Sequence, residues 1–260
     1  GGARKTSRSI WVLLTGYCCL LIWLYIFTQS YKSTYIKNKI TLMMSTIFRI
    51  PASYSYSIFA AFLYCLLPTN SSLIVAIVAG LNISSIFAAG LDLDFLIVIV
   101  LSVIAAMSLV SVFVQVTLKI LPKADIPGEM ARIKWIEGIM QTPPQIAWFL
   151  PILSASFEEV FFRGVFLHGL ISNGMNIPWA IALVTLAFIL NQVLLADTPI
   201  QRLILGYSSL AISLVGSIAF LASGSIIPSI VMHASFAGFY AGKSENRKYS
   251  HGVRDYQLRG

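Results

Sequence analysis

Residues 95–118 read FLIVIVLSVIAAMSLVSVFVQVTL, twenty-four positions without an Asp, Glu, Lys or Arg. At 1.5 Å of rise per residue such a run makes a helix of about 36 Å, longer than the ~30 Å hydrocarbon core of a bilayer. No water-soluble domain has a use for a segment this uniformly apolar. The composition around it agrees: of 260 residues, 57% are hydrophobic and only 11% are charged, against about a quarter charged in soluble domains. Disorder is excluded as well, because it needs low hydrophobicity and high charge. The chain reads as an all-α polytopic transmembrane helix bundle.

Working outward from 95–118, further apolar runs cover residues 10–28, 54–67, 72–91, 145–170, 178–195, 203–221 and 226–240, for about eight spans. Trp11, Trp23 and Tyr25 suit interfacial anchors near the ends of the first run. The polar stretch 31–51 carries Lys32, Lys37, Lys39 and Arg49, and its middle suits a short helix lying on the membrane surface. Asp92 and Asp94 mark a turn before 95–118, and Asp197 reads as a loop residue. The longest polar interval, 119–144, divides the chain into N-terminal spans with their polar loop (1–144), a second helix bundle (145–242) and a basic tail (243–260). No internal repeat is visible. The first apolar run is long enough to span and lacks a small-residue cleavage site, so no cleavable signal peptide is expected.

The net charge of +8 does not indicate a nucleic-acid partner, because no soluble basic face exists to hold one. It reflects instead the cytoplasmic bias of Lys and Arg in membrane-protein loops, and it suits contact with anionic lipid headgroups. Eight spans would put both termini on one side with 13 of the 18 Lys and Arg, which predicts cytoplasmic termini. The four basic residues between positions 32 and 49 fall on the wrong side of that arrangement. Cys18, Cys19 and Cys65 lie inside apolar runs without metal-ligand spacing and read as packing residues. Gly164, Gly206, Gly216 and Gly238 would let helices approach closely.

One segment breaks the apolar rule: Ser156-Phe157-Glu158-Glu159-Val160-Phe161-Phe162-Arg163-Gly164. An ionised side chain at the centre of a spanning helix costs roughly 2.5–3.5 kcal/mol on insertion scales, so three together need pairing, water or both. Glu159 and Arg163 are four apart and share a helix face. Glu158 is rotated by about 100° from its neighbour and can point elsewhere. One carboxylate neutralised by the arginine leaves the other free to hold a water or a proton, as general-base chemistry requires. A buried ion pair that only fixes helix packing is the alternative, although a second glutamate would then be buried to no purpose.

This segment resembles the first motif, Glu-Glu-x-x-x-Arg, of the CaaX protease and bacteriocin-processing family of intramembrane proteases, also called Abi or CPBP proteins. The resemblance covers roughly residues 145–240. It implies that Glu158 activates the hydrolytic water while Glu159 and Arg163 organise the site. The family's second motif, Phe-x-x-x-His, is matched by Phe188-Ile189-Leu190-Asn191-Gln192, with glutamine in the place of histidine. The third, His followed four residues later by Asn or Asp, is matched by His233 with alanine at Ala237. Gln192 can position a water but cannot accept its proton, and a lost general base typically costs about 10²–10⁴-fold. Ala237 removes an oxyanion partner, a loss of about 10²–10³-fold. Asn191 would offer a substitute amide if the register shifts by one.

The resemblance therefore implies a slow intramembrane endopeptidase acting on a peptide or protein near the bilayer, in a bacterial cytoplasmic membrane. The competing reading is a catalytically silent relative that serves as a scaffold or accessory subunit of a membrane complex. An ion or proton pathway lacks a second cluster of intramembrane charges. His168, five residues after Arg163, reads as interfacial or as a replacement base, and His251 as a solvated tail residue. No cofactor is expected. Zinc on Glu158, Glu159 and His233 is disfavoured because two adjacent helix residues rarely bind one ion together.

Overall fold

A computed structural model of the chain describes residues 2–87, 90 and 92–236, with side chains from residue 10 onward. All regular structure among them is helical. The helices are α1 (Gly2–Lys32), α2 (Thr34–Phe48), α3 (Ala52–Ala79), α4 (Leu93–Ile120), α5 (Ile126–Ala131), α6 (Lys134–Met140) and α7 (Pro144–Glu159). A π-helical stretch, Val160–Leu167, runs without a break into α8 (His168–Ser172). Then come α9 (Ile177–Val193), α10 (Pro199–Ser223) and α11 (Ile227–Phe236). Four helices are long and apolar enough to cross a membrane: Ile10–Lys32 of α1, α3, α4 and α10. Helices α9 and α11 are apolar but shorter.

Local chemistry sets the helix ends. Asp92 accepts from the Phe95 N–H at 2.9 Å and starts α4, which is the turn role expected of it. Thr198 and Gln201 form a capping box ahead of α10, with Pro199 in the first turn. Helices α3 and α10 stop at Gly80 and Gly224, whose φ values of 67° and 66° are costly for any residue with a Cβ.

The separate runs expected over 54–67 and 72–91 are one helix through Ala79. Pro68 and the polar Thr69–Ser72 stretch suggest a break in the sequence, yet the hydroxyls here serve the helix itself. Thr69 donates to the Cys65 carbonyl at 2.8 Å and Ser72 to the Pro68 carbonyl at 2.6 Å. Proline is tolerated inside spanning helices when local adjustment and neighbouring groups make up for the missing N–H. Beyond Gly80 the chain forms a single 3₁₀ turn, Ser84–Phe87, fastened by the Ile226 N–H to the Ile86 carbonyl at 2.9 Å.

The helix that runs from Pro144 to Ser172 lies at the centre. Residues 161–167 are all buried, so this segment meets protein on every side. It packs against α1, α3, α9 and α10, with α4 outside α10. Phe162 meets Phe188 edge-on at 4.9 Å, and Phe166 stacks on Tyr17 at 5.5 Å. The Tyr17 hydroxyl donates to the Ala187 carbonyl at 2.7 Å and ties α1 to α9. Helix α4 is the opposite case: only 11% of its apolar window is buried, leaving Leu96, Val100, Leu101 and Ile104 on a face suited to lipid.

Two of the glycines expected to permit close approach do so. A Cβ on Gly164 would collide with Ile86, and one on Gly216 would lie 3.4 Å from Arg163 Nε. At Gly206 the nearest atom would be at an ordinary 3.7 Å, from Val193, so that position needs no glycine. Gly238 lies outside the described residues, as do Ala237, His251 and the basic tail. Cys65 is buried, whereas Cys18 and Cys19 are exposed on α1. The last two correct the packing reading, since an apolar run in a membrane has a lipid side as well as a protein side.

Candidate functional site

Glu158 and Glu159 close α7 just before the π-helical stretch, and both carboxylates are buried, with 4% and 0% of their surface exposed. Arg163, also fully buried, donates from Nη1 to Glu159 Oε1 at 3.0 Å and from Nη2 to the Ile212 carbonyl at 3.2 Å. Its guanidinium lies 4.7 Å from the centre of the Phe188 ring. Phe188 of α9 is thus a cation–π partner for Arg163. Gly216 borders the guanidinium: a Cβ there would touch Arg163 Nε and Nη2 at 3.4 Å and crowd the Met232 methyl at 3.2 Å.

His233, on α11, bonds through Nδ1 to Glu159 Oε1 at 2.8 Å. Its Nε2 faces Glu158 Oε2 at 3.8 Å, and its ring meets Phe188 edge-on at 5.7 Å. A histidine that donates Nδ1–H to a carboxylate presents its Nε2 for chemistry. Arg163 neutralises Glu159, while Glu158 has no Arg or Lys partner of its own among the described residues.

Gln192, on α9, reaches Glu158 directly. Its Nε2 donates to both oxygens of Glu158, at 3.0 Å each. The neighbouring Asn191 does not substitute for it. Asn191 is buried and donates at 3.4 Å to the hydroxyl of Tyr64 on α3, and that hydroxyl in turn donates to Glu158 Oε1. Motif reasoning does not single out Tyr64. The available signal is a tyrosine inside an apolar run, whose hydroxyl must find a partner where water is absent.

Glu158, Gln192 and His233 form the polar end of a cavity of about 140 Å³. Its remaining walls are largely apolar: Phe27 and Tyr31 of α1, Ala61 of α3, Trp135 and Ile136 of α6, and Phe236 of α11. A carboxylate at the end of an apolar cavity can meet the polar group of an otherwise apolar ligand. His168 lies elsewhere, with its ring 6.3 Å from that of Phe220, so it is not a replacement base. Asp92 and Asp197 are capping and loop residues away from the site. No group of three or more His, Cys, Asp or Glu with metal-site geometry occurs among the described residues.

No curated protein and no solved structure matches the chain. One protein-family profile does, over residues 96–243. That interval runs from the start of α4 past α11 and contains Glu158, Glu159, Arg163, Gln192 and His233, while Tyr64 and the cavity walls from α1 and α3 lie outside it. The chain belongs to the family of unknown function DUF5968.

Proposed function

We propose that the chain is an intramembrane hydrolase of the CaaX-protease and bacteriocin-processing kind, with Glu158 as the base that activates water against a peptide bond. The observation that carries this reading is Glu158 itself, a buried carboxylate at the polar end of an apolar cavity whose neighbouring carboxylate is already neutralised by Arg163. Glu158 takes a proton from water as the water oxygen attacks the carbonyl carbon. The His233 ring, whose Nε2 lies 3.8 Å from Glu158 Oε2, steadies the oxyanion. Collapse breaks the carbon–nitrogen bond, and the proton held by Glu158 passes to the leaving amine. Gln192 orients the carboxylate and takes no proton, so the enzyme is slow.

Seven crossings accompany this reading: α1, α3, α4, the helix from α7 through α8, α9, α10 and α11. Support comes from neighbours at the two ends of the bundle. Lys32 pairs with Asp197 at 3.6 Å, and the Gln201 side chain donates to the Glu129 carbonyl at 3.1 Å. These contacts gather the α1–α2, α4–α7 and α9–α10 connections at one end. Leu13 and Leu81 flank Gly169 at the other. Nine Lys and Arg (32, 37, 39, 49, 119, 123, 132, 134 and 202) then share one face, while connections 80–92, 173–176 and 224–226 carry none. The basic residues of 32–49, discordant with eight spans, fall in line with seven. Arg4, Lys5 and Arg8 are the exceptions. The basic face is cytoplasmic, the cavity lies toward it, and the membrane is a bacterial cytoplasmic membrane.

The competing reading is a silent scaffold or accessory subunit of a membrane complex. It draws on the same Gln192 amide, which occupies both oxygens of Glu158. Mass spectrometry of protein termini separates the two, comparing cells that carry wild type, Glu158→Gln or a deletion. A new terminus present with wild type alone is the expected result and identifies the substrate. Identical termini in all three would sink the hydrolase, and co-purification in mild detergent would then be the route to a partner.

A further inference from the structure

We infer that Tyr64, supplied by α3 outside the family-matched interval, is a positioning residue that decides which oxygen of Glu158 is free to act. The two oxygens are not equivalent. Oε1 receives the Tyr64 hydroxyl and the Gln192 amide, whereas Oε2 receives Gln192 alone and faces His233 Nε2 at 3.8 Å. A carboxylate oxygen offers two lone-pair positions. Oε1 is therefore filled and Oε2 keeps one open, on the side of His233.

The hydroxyl cannot easily turn away. Asn191 Nδ2 donates to it at 3.4 Å, which uses its acceptor side and sends its hydrogen to Glu158. The ring is held by Phe27, whose centre is 5.5 Å away, and Phe27 leans edge-on against Tyr31 at 5.2 Å. Tyr64 and Glu158 also border a second void of about 10 Å³, reached by Asn191 and closed by Leu20, Leu24 and Phe162. That is room for about one water molecule, and it lies apart from the main cavity. Tyr64 thus separates two spaces and keeps the carboxylate turned to the larger.

That Tyr64 holds Glu158 stands on geometry alone; that Oε2 is the oxygen activating water rests on the hydrolase reading. The test is the reaction of the purified full-length protein with dicyclohexylcarbodiimide, an apolar reagent for buried carboxyl groups, with the Glu158 adduct followed by peptide mass spectrometry. Removing the hydroxyl in Tyr64→Phe frees Oε1 and raises the rate of Glu158 modification about tenfold, the scale of a hydrogen bond to a charged group. Tyr56→Phe removes a hydroxyl from the same helix, one that meets Ser30 rather than Glu158, and leaves the rate within about twofold. Asn191→Leu keeps Tyr64 but releases its hydroxyl, and raises the rate by a smaller factor; it carries the test should Tyr64→Phe not fold.

Equal rates for wild type and Tyr64→Phe would overturn the proposal. So would a rise in Tyr56→Phe equal to that in Tyr64→Phe, because general loosening would then explain both. Absence of the Glu158 adduct in every variant would overturn it too, since Glu158 would not face a cavity. A missing wild-type neo-terminus, by contrast, removes the hydrolase and leaves the labelling result standing.

Discussion

Arg163 holds three parts of this site together. It neutralises Glu159, caps the Ile212 carbonyl and lies over Phe188, with no surface exposed. A buried charge stripped of its partner is far costlier than the pair was favourable, by about 3–5 kcal/mol. Arg163→Met should therefore lower the thermal unfolding temperature in detergent sharply. The double variant Glu159→Gln/Arg163→Met should recover part of that loss, because it leaves no orphaned charge. Equal destabilisation by the single and double variants would mean that the guanidinium matters through packing alone. This pair is legible in the sequence, since residues four apart on a helix meet wherever the helix lies. Tyr64 is not, because the partner that explains it is 94 positions away.

Among the helices, those over residues 10–28, 95–118 and 203–221 announce themselves by length and lack of charge, and a helix stands at each place. Helix α3 is harder to read, because Pro68, Thr69, Asn70 and Ser72 look like a turn until the Thr69 and Ser72 hydroxyls are seen bonding to preceding carbonyls. If α3 is one crossing, Asn70 lies within it, exposed on its outer face. A cysteine placed there in a cysteine-free background should resist a membrane-impermeant maleimide from both sides, whereas Asn82→Cys, beyond Gly80, should react. Ready labelling at position 70 would restore the two separate spans. The π-helical stretch leaves no mark that apolar periodicity could reveal. Residues 160–167 are apolar apart from Arg163 and Gly164, and hydrophobicity alone does not distinguish a wider helix from an ordinary one.

At the scale of the whole molecule, the seven crossings proposed above would place Asn82 and Lys123 on opposite faces of the membrane. Cysteines at these two positions should be labelled from opposite sides in oriented vesicles, with position 123 reached from the cytoplasmic side; labelling of both from one side would break the arrangement. Composition makes the membrane class legible, but the number of crossings depends on the single junction in α3, which charge counting alone does not resolve. The central helix has one more consequence. Its segment 161–167 touches protein all round, so it cannot slide or tilt without displacing several neighbours at once, and it serves as the fixed axle of the bundle. Movement that admits a ligand to Glu158 then falls to the parts hung around it. On the cavity's rim the shortest of these are α5 and α6, six and seven residues that bring Met130, Trp135 and Ile136 to the wall as short leaves around a still frame.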